Sequence, residues 1–372
     1  MKVGVPRETK QSEHRVALVP DGVRQLVDDG HQVIVETHAG IGIAITDQEY
    51  EAAGAVIVDS PQGVFDGAEL ILKVKEPQED EIALHQPHHT IFGFLHLAAD
   101  KALTEQLLAT GATYIAMETM QDDGGLLPLL TPMSVVAGRM AAQVGAQYLQ
   151  QDHGGKGVLL GGVSGAPSGR VTVIGCGAAG TNAIEVAIGL GAHVTAIDVS
   201  APRLEELAER FGECITVLQS TPDNILKAVV SSDVVIGTVL VPGSRAPVLV
   251  TRSMIAQMEP GSVVIDIAVD QGGCIETCHP TSHAEPSYVV DGVIHYCVSN
   301  IPGVVARTAT YALTNVSFDY VRTIARLGVG ESLRQHSILQ KGLNIYKGNL
   351  VHQVIARDLK LTLEDFPHFS ES

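Results

Sequence analysis

Positive charge is scarce in this sequence: 24 Lys and Arg stand against 42 Asp and Glu, a formal charge of −18. A nucleic-acid groove needs a basic stripe, and no cluster of Lys or Arg supplies one, so nucleic acid is excluded as a partner. Cysteine is also rare. The five thiols, Cys176, Cys214, Cys274, Cys278 and Cys297, are odd in number and lie mostly in apolar runs, the pattern of reduced cytosolic cysteines rather than of a disulfide framework. No apolar run reaches the ~18 residues that a membrane span requires. The opening MKVGVPRE has no apolar core of a secretory signal. These absences predict a soluble cytoplasmic protein without a membrane partner. Internal repeats and low-complexity tracts are lacking as well.

What is present points to layered α/β structure. The chain has 372 residues, 38 of them glycine, and is 45% hydrophobic; single cores rarely grow beyond about 250–300 residues, so two domains are expected. Short apolar runs alternate with helical patterns through KVGVP, GVRQLVDDG, HQVIVE, DQEYEAAG, AVIV, ELILKVK, TIFGFLH, KALTEQLLATG and ATYIAME. Such alternation predicts parallel strands with helices on the sheet faces. VVAGRMAAQVGAQYLQQ reads as a long connecting helix, and a second series of strands follows in CITVLQS, DVVIGTVLVP, SVVIDIAVD and HYCVSN. From Thr308 onward the chain reads as helical, with no strand, and is expected to pack back on the first domain or on another subunit. The expected fold is therefore α/β: two Rossmann-like doubly wound parallel-sheet domains separated by a cleft, the first of them discontinuous. Residues 1–130 and 305–372 form the first domain and residues 131–304 the second.

The second domain carries a fingerprint, VTVIGCGAAGTNAIEVAIGLGAHVTAID from Val171 to Asp198. Strand, glycine turn, helix, strand and acid fall in the order that binding a dinucleotide requires. Gly175 permits the tight turn, Gly177 lets the backbone approach a pyrophosphate, and Gly180 lets the helix pack on the strand. Ala178 and Ala179 open the helix, whose N-terminus would face the phosphates. Asp198 would accept hydrogen bonds from the adenosine ribose, which favours NAD over its 2′-phosphorylated form. Arg203 follows closely enough to tolerate a 2′-phosphate, or is an ordinary exposed helix arginine.

In open parallel sheets ligands bind beyond the carboxyl ends of the strands. Lys75 closes ILKVK, His96 closes TIFGFL, and Asp270 follows VVIDIAV before Gln271-Gly272-Gly273. Lys75 is either a solvated strand-end lysine or an ammonium donor to a carboxylate or carbonyl. His96 is either structural or a proton exchanger, since its side chain titrates at about 6.5 when unperturbed. Asp266, deeper on the same strand as Asp270, reads as a structural acceptor. Arg15 has the planar fork that suits a carboxylate, or is a surface arginine. Cys274, Cys278, His279 and His283 show ligand-like spacings, but Cys278 and His279 are adjacent and leave no loop to fold around an ion, so no metal is expected. His85, His88 and His89 flank prolines and read as a solvated turn.

With RVALVP, KVKEP, LHLA, MSVVAGRMAAQVGAQYL, GGKGVLLGG, VIGCGAAGTNA, DQGGCIET, HYCVSNIPG and TYALTN, the sequence resembles the bacterial L-alanine dehydrogenases from VGVPRE nearly to GLNIYKGNLVHQ. The resemblance implies reversible NAD-dependent deamination of L-alanine to pyruvate and ammonia. It implies a substrate-binding and catalytic first domain and an NAD-binding second one. Arg15 and Lys75 would bind the substrate carboxylate, and His96 and Asp270 would be catalytic; a set so divided requires the domains to meet. Cofactor contacts would map to Ser134, Ala178, Asp198, Arg203, Ser220, Val239, Leu240, the segment from Ile267 to Asp270, and Val298, Asn300 and Ile301. The family's usual assembly is a homohexamer. His14, Val135, Ala306 and Cys278 depart from the expected pattern, His14 within the substrate loop. The related NAD-binding transhydrogenase subunit and a nucleotide sensor without turnover are the alternatives; the joint presence of Lys75, His96 and Asp270 favours the dehydrogenase.

Overall fold

The β-branched runs become strands in a computed structural model that describes residues 1–239, 246–269 and 272–365. In chain order these are β1 (Lys2–Val5), β2 (Gln32–Glu36), β3 (Val56–Val58), β4 (Leu70–Leu72), β5 (Thr90–Gly93) and β6 (Thr113–Ala116). There follow β7 (Arg170–Ile174), β8 (His193–Asp198), β9 (Ile215–Gln219), β10 (Val234–Gly237), β11 (Val263–Asp266), β12 (Ser287–Val290) and β13 (Val293–Tyr296), then β14 (Leu343–Tyr346) and β15 (Asn349–Leu350). Two compact units result, one of Met1–Met133 with Gly303–Ser372, the other of Ser134–Pro302.

In the first unit the described strands pair in the order β15-β14-β6-β5-β4-β1-β2-β3. Strands β1 to β6 are mutually parallel. Their order is that of a doubly wound sheet, with the topological switch between β1 and β4. Strand alternation sends Val3, Val33, Val35, Leu70 and Leu72 to one face and Ile34, Ile71, Ile91 and Tyr114 to the other. Both faces are covered, as a parallel sheet requires, and each fully buried aliphatic side chain contributes roughly 1.5–3 kcal/mol. The long helix Ala306–Leu327 adds Ala309, Leu313, Val321 and Ile324 to the first face.

Two expectations fail in this unit. The C-terminal stretch is not wholly helical, because β14 and β15 form a hairpin whose β14 pairs antiparallel with β6. Its two-residue turn, Lys347-Gly348, has φ of 48° and 80°, the conformation that matches strand twist in a tight hairpin. Leu343, Ile345 and Leu350 are buried by it. The histidine turn is not solvated either. His85 Nδ1 lies 2.7 Å from the Tyr114 hydroxyl and His89 Nε2 lies 2.9 Å from the Phe65 carbonyl; both rings are buried, and only His88 is exposed. Burial pushes the His85 imidazole down to about 3.

The second unit repeats the topology. Its described strands pair as β12-β13-β11-β10-β7-β8-β9, parallel except for β12. The switch lies between β7 and β10. Edge strand β12 has no counterpart in the sequence reading; it pairs with β13 through Asp291-Gly292, with φ of 51° and 83°, another two-residue hairpin turn. Ala137, Ala141, Ala142 and Val144 of the helix Thr131–Tyr148 pack with Val171, Val173, Ile236 and Ile265 of the sheet.

Candidate functional site

In the first unit the polar cluster is built where β1, β4 and β5 end. Lys75 lies three residues beyond β4, and His96 three residues beyond β5. Lys75 Nζ lies 3.2 Å from His96 Nε2. The His96 ring stacks on Phe94, with centroids 6.0 Å apart and planes 7° from parallel. Burial, with the cations Lys75, Lys10 and Arg15, holds the His96 imidazole well below its ordinary value. A neutral ring beside an ammonium is equipped to accept a proton.

Arg15 is 3% exposed, so it is not a surface arginine. Its Nε donates to Glu13 Oε1 at 2.7 Å and its Nη2 to Glu13 Oε2 at 2.5 Å, while Nη1 faces Met133 Sδ at 3.1 Å. One edge of the guanidinium is thus taken up by Glu13, which fixes the direction of the other.

Three charged groups behind these residues were not singled out in the sequence. Lys73 is 0% exposed and pairs with Glu8 at 3.2 Å and Glu81 at 2.7 Å. Burial acts to lower its ammonium, but the two carboxylates together raise it above the ordinary value. Glu8 Oε1 also accepts the Val74 N–H at 2.6 Å, tying the loop after β1 to the exit of β4 next to Lys75. The available signal was a lysine in an otherwise apolar strand, on the face shared with Ile71.

In the second unit the glycine turn joins β7 to the helix Ala178–Gly189. Gly175 has φ of +90°, and a Cβ on Gly180 would lie 1.9 Å from the Gly175 carbonyl oxygen. A Cβ on Gly177 would meet nothing within 4 Å, and no side chain caps the helix that begins there. Open backbone beside uncapped amides fits the pyrophosphate of a dinucleotide. Thr238 Oγ1, just past β10, donates to the Gly175 carbonyl at 2.6 Å and braces the turn.

Asp198 Oδ2 accepts from the Cys176 N–H at 2.6 Å and Oδ1 from the Ser200 N–H at 2.8 Å, and each oxygen retains a further lone pair. Ser220 N–H donates to the Asp198 carbonyl at 2.9 Å, which sets Ser220 beside the acid. Arg203 is not an ordinary exposed arginine. Its Nε donates to the Cys176 carbonyl at 2.8 Å, its Nη2 to Thr181 Oγ1 at 2.6 Å, and its Nη1 pairs with Glu206. Asp266 accepts N–H groups from Ala268, Cys274 and Ile275. Val298 and Ile301 are buried in the core, and the Asn300 carbonyl lies 2.8 Å from His283 Nε2. Ser134, Val239 and Ile267 are partly exposed. Asp270 and Leu240 lie outside the described residues. Among the described residues no group of three or more His, Cys, Asp and Glu side chains could hold a metal ion, and no helix is long and apolar enough to cross a membrane.

The N-terminal domain model of the alanine dehydrogenase/PNT family matches residues 4–137, and the C-terminal domain model matches residues 141–353. The chain belongs to the alanine dehydrogenase/PNT family. It is 52% identical over 356 residues to the alanine dehydrogenase of Halomonas elongata, covering 96% of each chain. It is 50% identical over 360 residues to that of Bacillus subtilis, covering 96% of this chain and 95% of the relative. A solved L-alanine dehydrogenase superposes with a TM-score of 0.93 at 48% identity, over 97% of this chain and 99% of that one. A transhydrogenase from Sinorhizobium meliloti superposes with a TM-score of 0.80 at 28% identity, over 95% of this chain and 99% of the other. This family and the Rossmann-like fold together imply a nicotinamide cofactor.

Proposed function

We propose that the protein is an NAD-dependent L-alanine dehydrogenase that converts L-alanine reversibly to pyruvate and ammonia. The observation that carries this reading is the identity of about half its residues, over nearly its whole length, with relatives named alanine dehydrogenase. NAD is the preferred cofactor, since Asp198 stands where a 2′-phosphate would be repelled. Gly175, Gly177 and Gly180 form its cradle, Ala178 and Ala179 supply helix amides, and Ser134, Arg203, Ser220, Val239, Leu240, Ile267, Val298, Asn300 and Ile301 complete its contacts. The working assembly is a cytoplasmic homohexamer.

When bound, NAD accepts the hydride from Cα. The chain's own residues do the rest. The outer edge of Arg15, held by Glu13, and the ammonium of Lys75 bind the substrate carboxylate and orient Cα. His96, kept neutral by burial and by the surrounding cations, takes the proton from the substrate ammonium and releases it to solvent, then takes a proton from the water that adds to the imine and returns it to the departing amine. Asp270 steadies the hydrated intermediate.

The test is NADH formation from L-alanine at alkaline pH, with glycine, L-serine and L-lysine beside it and NADP in place of NAD. Turnover with L-alanine and NAD is expected, with His96→Ala abolishing it while NADH still binds. NADH binding without turnover of any amino acid would overturn the reading.

A further inference from the structure

Glu118 follows β6 in the single turn Met117–Thr119. Its carboxylate is spent on backbone: Oε1 accepts the N–H of His96 at 2.6 Å and of Leu95 at 3.3 Å, and Oε2 accepts the Leu95 N–H at 3.2 Å. His96 has φ 51° and ψ 34°. This left-handed conformation is disfavoured for an L-residue, and such outliers persist only where their surroundings over-determine them. The strained residue is the one whose ring meets Lys75. Relaxation to the extended or right-handed region would redirect Cα–Cβ and carry the imidazole away from Lys75 Nζ.

We propose that Glu118 is the positioning residue for His96: by accepting its N–H the carboxylate holds the backbone left-handed and aims the imidazole at the proton it exchanges. The proposal rests on the dehydrogenase reading. Among the described residues, the charged groups facing His96 are Lys75, Lys10 and Arg15 around the ring and Glu118 at its backbone.

The experiment compares the full-length protein with Glu118→Ala, Glu118→Gln and Glu118→Asp. It reads kcat and KM for L-alanine, NADH affinity, the pH profile of kcat/KM, and the titration of His96 by NMR of histidine-labelled protein, its signal assigned by its loss in His96→Ala. Glu118→Ala is expected to lower kcat about 100-fold, the scale of a misplaced acid–base group. NADH affinity should change by less than about threefold, because the cofactor cradle is untouched. The His96 titration, and with it the acid limb of the profile, should move up toward the ordinary histidine value as the ring leaves its cations.

Glu118→Gln keeps an acceptor oxygen at the same reach and should recover about tenfold of the loss, roughly one hydrogen bond. Equal impairment of the Ala and Gln variants would overturn the proposal, as would a folded Ala variant within about threefold of the parent in kcat. Should the Ala variant fail to fold, Glu118→Asp decides: its charge is kept but its reach is one methylene short, so it must be slower than Gln, and the reverse order overturns the proposal. A parent without alanine turnover defeats the dehydrogenase reading instead. The NMR titration then tests the Glu118–His96 link by itself, an unmoved signal in every variant counting against it.

Discussion

The two units share a strand order and differ in what fills the switch point. In the second, the chain leaves β7 through Gly175 to Gly180 and β10 through Thr238, and backbone lines the crevice. In the first, it leaves β1 toward Glu8 and β4 through Lys73, Val74 and Lys75, so buried charged side chains stand in the equivalent place. One topology therefore serves two chemistries. Bare amides suit a ligand that brings its own phosphates, whereas fixed ammonium and guanidinium groups suit a small carboxylate. In a chain of formal charge −18, the cations Lys10, Arg15 and Lys75 are nevertheless gathered around His96, beyond the carboxyl ends of the central strands β1, β4 and β5.

The largest expected effect of breaking this contrast falls on the charged switch. Glu8→Ala leaves Lys73 with Glu81 alone and the Val74 N–H without its carboxylate, which should cost about 3–5 kcal/mol of unfolding free energy. Denaturant unfolding at fixed protein concentration measures it. A loss below about 1 kcal/mol would reduce the triad to an ordinary ion pair.

On the backbone switch, Gly180→Ala sets a Cβ 1.9 Å from the Gly175 carbonyl and 2.8 Å from Thr238 Oγ1. Overpacking of this kind costs about 1–3 kcal/mol, and NADH binding should fall with it. Gly177→Ala separates binding from folding, because its Cβ meets open space. Its stability should stay within about 0.5 kcal/mol of the parent, while NADH binds about tenfold more weakly, near 1.4 kcal/mol. Calorimetric titration reporting unchanged affinity would remove Gly177 from the cradle.

Legibility followed the same divide. The glycine turn could be read in sequence because each glycine answers a backbone demand at a fixed spacing, and the parallel strands because their β-branched runs are buried on both faces. The edge strand β12 and the hairpin of β14 and β15 escaped notice. Asp291-Gly292 between SYVV and VIHY was a readable hairpin signal, whereas Lys347-Gly348 lacks the usual Asn or Asp. In the first unit Arg15, Lys75 and His96 were visible as polar groups in or just past apolar runs. Glu8 and Glu118 were not, since their burial is defined by partners distant in sequence: Glu8 and Val74 are 66 residues apart, and His96 and Glu118 are 22 apart. The surroundings of Arg203 stayed open for the same reason, its partner Cys176 lying 27 residues away.

The smallest effect concerns the charge around His96 alone. In the proposed mechanism alanine oxidation needs the neutral imidazole, so kcat/KM should fall as pH drops through a His96 pKa that burial, Lys75, Lys10 and Arg15 hold below its ordinary value. Lys10→Ala removes one of those cations, which makes protonation easier and moves the acid limb to higher pH. Lys10 is partly exposed and paired with Glu76, so solvent and its partner screen it. The shift should be about 0.3 pH unit, on the order of 0.4 kcal/mol. NADH affinity should not change, since Lys10 lies in the first unit and the proposed cofactor cradle in the second. An unmoved limb, or one displaced downward, would mean that the Lys10 charge does not set the His96 titration, and the cations acting on the ring would then be Lys75 and Arg15 only.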